Sequence, residues 1–364
     1  MTKLQELAAL GQSPWLDYIR KDLLQTGELG KLVDSGIRGV TSNPTIFENA
    51  IGKSDLYLDD IKHLAHQGSD KYQIYEELAV DDIKRAADVL RSVYVQSDET
   101  DGFVSLEVPP ELCHDYEQTV AEARRLWAKI ERPNLMIKVP ATPAGVRAIT
   151  DLIAEGISVN ATLMFTRQDY LDVAEAYLLG LEMRHKNKLP LDTVASVASI
   201  FVSRLDSAVE ALVEGDAKSE LMGKVAVANS RQIYREYVNL FYSDRFNRLK
   251  QAGAHPQRPL FASTGTKNPQ LPDVLYVDQL IGPDTVNTMP PATMQAFLDH
   301  GSPLRTVDQF ASEDDQVLRR CSQHGLDVEQ IGAELKTKGL QQFIDSFTSL
   351  LDTVEQKRVA ALSQ

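Results

Sequence analysis

The sequence predicts an α/β chain closed into a (β/α)8 TIM barrel with additional C-terminal helices. Short β-type apolar runs alternate with amphipathic helical runs along most of the 364 residues. Such alternation implies parallel strands joined by crossover helices. The unit recurs around eight times, and no Gly-rich nucleotide loop accompanies it, which favours a closed barrel over an open doubly wound sheet.

Taken in order, Trp15–Ile19 is a short apolar run holding one acid, Asp17. Gly30–Gly36 is helical and stops at a glycine, and Gly39–Ser42 is a strand broken by Asn43-Pro44. Lys71–Val93 has helical spacing through Ile74, Leu78, Ile83, Ala86 and Leu90. Gly102–Val108 is a strand closed by Pro109-Pro110, Tyr116–Ile130 a helix, and Leu135–Val139 a strand closed by Pro140. Ala144–Ala154, Asp169–Glu182, Arg204–Glu214 and Val225–Leu249 are helical, with strands at Ser158–Phe165, Thr193–Phe201 and Pro259–Thr264. Val274–Ile281 is a short helix before a last strand, Thr285–Met289, and the helix Met294–His300 follows.

After Gly301 the texture changes. Ser302–Asp315 is polar and loop-like, and helices are expected near Gln316–His324, Val328–Thr337 and Leu340–Val359. Neither a repeat nor a Pro/Ser linker interrupts the chain. Residues 1–364 are therefore expected to form one domain, with 302–364 a helical extension packed on the barrel.

Composition excludes several classes of function. Hydrophobic residues make up 43% of the chain, ample for a large core, and the net charge of −14 disfavours nucleic acid and anionic membranes as partners. A phosphorylated substrate would have to be held by a few local cations. Cys113 and Cys321 fit no metal spacing and suggest buried free thiols in a reducing compartment. No stretch nears the roughly 18 apolar residues of a membrane span, and the first residues lack the core of a signal peptide. The expectation is a cytoplasmic protein. The apolar helix faces suit internal packing and a homo-oligomer interface equally.

In such barrels reactive groups collect at the C-terminal ends of the strands. Here those positions hold Asp17, Asn43, Glu107, Lys138, Asn160, Thr162, Ser199, Arg204, Ser263 and Lys267. Polar groups in strands buried on both faces are costly unless hydrogen-bonded or turned into a polar pocket. Lys138 is the only charge in Leu135-Met136-Ile137-Lys138-Val139-Pro140. Burial disfavours ammonium, so such a lysine is a source of free amine that can attack a ketone and form an iminium. On the strand alone, a lysine that reaches solvent or pairs with Glu107 is the slightly simpler reading. Glu107 and Asp17 are further lone charges, suited to dividing proton transfers or to ion pairing. For Asp17 alone those two readings weigh equally. Arg204, where a strand passes into a helix, suits a phosphate. The stretch Ser263-Thr264-Gly265-Thr266-Lys267 offers hydroxyls, backbone donors and a cation. Taken alone, it is also an ordinary turn.

Three segments carry a resemblance. Gly39-Val40-Thr41-Ser42-Asn43-Pro44-Thr45-Ile46-Phe47, Leu135–Thr142 (LMIKVPAT) and Gly156–Phe165 (GISVNATLMF) resemble, in order and spacing, signatures of the transaldolase family. The similarity continues through Ser199–Arg204 to the late Ser263 loop. It implies that Lys138 is the Schiff-base nucleophile, Asp17 the acid/base in carbon–carbon cleavage, and Glu107 with Thr162 the holders of a water for proton relay. It further implies that Asn43, Asn160 and Ser199 bind the dihydroxyacetone unit and that Arg204 and Ser263 bind phosphate. Phe201 stands where the related fructose-6-phosphate aldolases usually carry tyrosine, which favours transfer over simple cleavage. The chain departs from the pattern at Gly265, where many members carry an arginine. Lys267 is the nearest cation, and it lacks the planar fork of arginine.

The implied reaction moves dihydroxyacetone from sedoheptulose 7-phosphate to glyceraldehyde 3-phosphate, giving erythrose 4-phosphate and fructose 6-phosphate. It calls for no metal or organic cofactor, because the iminium is the electron sink. The rival readings are a class I aldolase on the same barrel and a non-catalytic barrel that binds sugar phosphates or proteins.

Overall fold

A computed structural model describes residues 1–363. Its eight parallel strands close in sequence order: β1 (Gln12–Leu16), β2 (Val40–Thr41), β3 (Val104–Glu107), β4 (Leu135–Pro140), β5 (Val159–Met164), β6 (Ser196–Phe201), β7 (Arg258–Ala262) and β8 (Thr285–Met289). Closure runs from Gln12 against Thr285 to Leu16 against Met289. The expected barrel is thus present. Outward residues such as Leu135, Ile137 and Val139 pack with the surrounding helices, while Met136 joins a separate interior cluster with Trp15, Val197, Leu260 and Val286. That division follows from the two-residue period of a strand.

The N-terminal end of the barrel is plugged by charge. Trp15 Nε1 donates to Asp101 at 3.0 Å, and Asp101 pairs with Arg38 at 2.8 Å and Arg258 at 3.5 Å. Both arginines hold the Asp101 carboxyl below the usual range despite its burial. Polar function is left to the opposite end.

Several boundaries differ from the sequence expectation. The expected helix over 71–93 breaks at Leu90 into Lys71–Val89 and Arg91–Gln96. The one over 225–249 breaks at Tyr242, where Ser243 caps a new helix by accepting from Phe246 N. Apolar periodicity runs through both breaks because the inward face is kept. Conversely, the two expected helices over 328–337 and 340–359 are one, Val328–Leu362. Glycine weakens a helix in general, but here Gly332 and Gly339 permit close approach. A Cβ at 332 would stand 2.1 Å from Thr166 Cγ2, and one at 339 would stand 3.1 Å from Leu163 Cδ2. The sequence reading also missed the helices Lys3–Ala9, Lys21–Gln25, Pro44–Phe47, Leu58–His66 and Gly215–Leu221, and the π-helical turn Glu48–Gly52.

The long C-terminal helix crosses the C-terminal mouth of the barrel. Lys336 pairs with Asp169 and donates to Ala141 O at 3.0 Å, and Lys357 donates to Ile51 O and Ser54 O. Cys113 and Cys321 are buried and unpaired. No helix among the described residues is long and apolar enough to cross a membrane.

Candidate active site

Lys138 lies on the inward face of β4, opposite Glu107 of β3 and Asn160 of β5. Its side chain is 4% exposed and forms no ion pair among the described residues, and Nζ donates to Ser42 O at 3.1 Å. It therefore neither reaches solvent nor pairs with Glu107. It stands at the strand ends, on the cavity wall, with one neutral partner.

Two carboxylates face it from different surroundings. Asp17 follows β1 directly, its backbone N bonded to Met289 O at 2.8 Å. Thr41 Oγ1 donates to Asp17 Oδ1 at 2.6 Å and lies 2.6 Å from Thr288 Oγ1. Burial pushes the Asp17 carboxyl above its ordinary value, against the opposing pull of Lys138, the Thr41 bond, Arg204 and Lys267. Burial likewise pushes Glu107 up to about 7, partly offset by Lys138 and reinforced by Asp17. Both Glu107 oxygens and Thr162 Oγ1 are buried without a protein partner. Unsatisfied buried acceptors are rare and suggest a water. Glu107 adjoins a space of about 10 Å³ bounded by Ser42, Asn43, Tyr75 and Phe347, the order of one water.

A larger cavity of about 210 Å³ opens at the mouth. Its wall includes Asp17, Asn43, Lys138, Ser199, Phe201, Arg204, Ser263 and Lys267, so the fold gathers these eight sequence-selected residues. Glu107, Asn160 and Thr162 are not in that wall. Asn160 stands behind Ser199, accepting from its hydroxyl at 2.7 Å and donating to Ser105 Oγ at 3.0 Å. Asn43 caps the helix Pro44–Phe47, its Oδ1 accepting from Ile46 N at 2.9 Å. That bond leaves its NH2 free to donate.

The cationic end is built by β6 and β7. The Arg204 guanidinium lies over the Phe201 ring, 5.2 Å from its centroid. Ser263 adopts φ 56, in the left-handed region that non-glycine residues avoid at a cost of about 1–2 kcal/mol. This turn carries Gly265 and Lys267 to the cavity wall. Ser263 Oγ and Ser203 Oγ lie 2.9 Å apart.

The sequence reading missed Thr41, which donates to Asp17, Thr288, which bonds to Thr41, and Phe343, a wall residue from the C-terminal helix. A hydroxyl on the inward face of β2 was a usable signal for Thr41. Phe343 gave none, since an apolar helix residue looks the same whether it faces core or cavity. Among the described residues, no cluster of His, Cys, Asp and Glu is placed to hold a metal ion.

Fold and mouth together define a class: closed β/α-barrel proteins with a polar, partly cationic cavity at the C-terminal ends of the strands. The family model described as "Transaldolase/Fructose-6-phosphate aldolase" matches residues 14–354, and the chain belongs to that family. It is 46% identical to the transaldolase of Frankia alni, over 97% of both chains. It is 42% identical to "Transaldolase 2" of Nostoc sp., over 97% of both, and 42% identical to the transaldolase of Thiobacillus denitrificans, over 96% of this chain and 99% of that one. Its activity is the transaldolase reaction, and its substrates are sugar phosphates.

Proposed function

We propose that Lys138 is the nucleophile of that reaction and that its neighbours divide the proton transfers and substrate contacts. The observation that carries this reading is the buried amine without an ion pair. Nζ adds to the C2 ketone of sedoheptulose 7-phosphate, and loss of water gives a protonated Schiff base. Asp17 takes the C4 hydroxyl proton, and the C3–C4 electron pair moves toward the iminium nitrogen. Erythrose 4-phosphate leaves, and an enamine stays on Lys138. The enamine carbon attacks the aldehyde of glyceraldehyde 3-phosphate, and Asp17 returns its proton to the new alkoxide. Water then releases fructose 6-phosphate and the free amine. Electrons and protons balance with the iminium as the sink.

Glu107, with a carboxyl at about 7, can both take and give a proton near neutrality. With Thr162 it holds the water consumed and released at the iminium. Ser199 and the Asn43 NH2 bind the dihydroxyacetone hydroxyls, and Asn160 orients Ser199. Arg204, Ser263 and Lys267 bind the phosphate, Lys267 as a point charge. Phe201 brings no hydroxyl to the wall, and Phe343 closes it from above. Both favour transfer over cleavage, because water is kept from the enamine.

Residues 1–364 act as one domain, with 302–364 a helical extension; Phe343 in the cavity wall supports this. The unpaired buried thiols suit a reducing compartment, and we place the enzyme in the cytoplasm. Lys138→Met should yield a folded protein, by circular dichroism, without transfer activity; appreciable turnover would overturn the assignment.

A further inference from the structure

The Arg204 side chain is half-buried beside the cavity, with Cζ over the Phe201 ring, 5.2 Å from its centroid. Among the described residues its one side-chain hydrogen bond runs from Nη1 to Gln342 Oε1 of the C-terminal helix, at 2.9 Å. Its other guanidinium N–H groups have no protein partner among those residues. Residue 339, three positions earlier on the same helix, lies beside the guanidinium as well: a Cβ there would stand 3.5 Å from Arg204 Nη1, an ordinary contact distance. We propose that Gln342 is a positioning residue for phosphate recognition, holding one corner of Arg204 so that its free N–H groups face the cavity. The inference rests on the reading of Arg204 as the phosphate ligand. The Phe201 ring and the Gln342 bond hold the guanidinium at two points, so its remaining freedom to rotate is small. The amide oxygen is a neutral acceptor, so it orients the cation without neutralising it. A carboxylate at the same point would compete with phosphate, because it would pair with the guanidinium charge and could take two of its N–H groups.

Two substitutions test this, and the exposed position of Gln342 means that neither disturbs the core. Gln342→Met keeps the length of the side chain and removes the acceptor; Gln342→Glu sets a carboxylate on Arg204. For Q342M, the KM for glyceraldehyde 3-phosphate should rise about tenfold, the scale of one hydrogen bond to a charged group. Q342E should raise it further. In both, kcat and the KM for unphosphorylated glyceraldehyde should stay at the parent values. An unchanged KM in Q342M, or an equal loss on both aldehydes, overturns the proposal. Arg204→Ala is measured alongside. If it abolishes the preference for the phosphorylated aldehyde while Q342M keeps it, only the role of Gln342 falls. If it keeps that preference, the reading of Arg204 falls and the proposal with it.

Discussion

Lys138 and Glu107 are register partners on neighbouring strands, yet no ion pair joins them. Nζ turns instead to Ser42 O, and both carboxylate oxygens stay without a protein partner. A closed pair would neutralise both groups. The open arrangement leaves Nζ without a charged partner, as the proposed attack on a carbonyl requires, and a Glu107 carboxyl raised to about 7.

Glu107 should make stability depend on pH in a stated direction. Its carboxyl is raised from 4.5 to about 7 by burial, so the folded state holds a proton that the unfolded state has lost. The stabilisation is full below about 4.5, declines as pH rises, and is gone above about 7. Glu107→Gln, neutral at every pH, should therefore gain on the parent by on the order of 1–3 kcal/mol between pH 5 and pH 8. Melting temperatures at the two values check this; a constant gap would contradict it. Turnover should fall roughly 10²–10⁴-fold, the usual worth of a lost acid/base group.

Thr41 lowers the Asp17 carboxyl by donating to it, against the larger effect of burial. Thr41→Val keeps the shape and removes the donor. The Asp17 carboxyl should then move further up, shifting the acidic limb of the kcat/KM profile to higher pH. A profile that keeps its midpoint would detach Asp17 from that limb.

The close approach at Gly332 should be testable by compensation. The atom that an added Cβ would meet is Thr166 Cγ2, at 2.1 Å, and Thr166 cannot turn away because its hydroxyl caps a helix by accepting from Asp169 N. Gly332→Ala should cost about 1–3 kcal/mol as overpacking. Adding Thr166→Ser, which keeps the cap and deletes the methyl, should recover most of that loss. Simple additivity of the two changes in denaturant titrations would argue against the contact.

Phe343 is 2% exposed and forms part of the cavity wall. Phe343→Ala should admit water to the enamine. Given fructose 6-phosphate without an aldose acceptor, the variant should release several-fold more free dihydroxyacetone than the parent, roughly the effect of losing one shielding group. Equal release would place the barrier to water elsewhere.

The barrel and the charged residues buried at its mouth were legible for one physical reason. Strands buried on both faces read as apolar runs, so a lone Lys138 or Glu107 stands out, and Thr285–Met289 and Tyr116–Ile130 were bounded as observed. The start of β1 was hidden by Gln12, Ser13 and Pro14, whose polarity and missing donor look like a loop. The C-terminal helix was split at Gly339 because propensity weighs local backbone freedom and ignores the distant Leu163, which packs close to that glycine. Sequence order also hides depth: Asn160 and Ser199 looked equivalent, but Ser199 is in the wall and Asn160 stands behind it.

The most direct measurement is borohydride reduction of the enzyme with fructose 6-phosphate, followed by peptide mapping by mass spectrometry. The account predicts one reduced three-carbon or hexose-phosphate adduct, on the peptide that contains Lys138. An adduct on a different lysine, or none while the enzyme turns over, would contradict it.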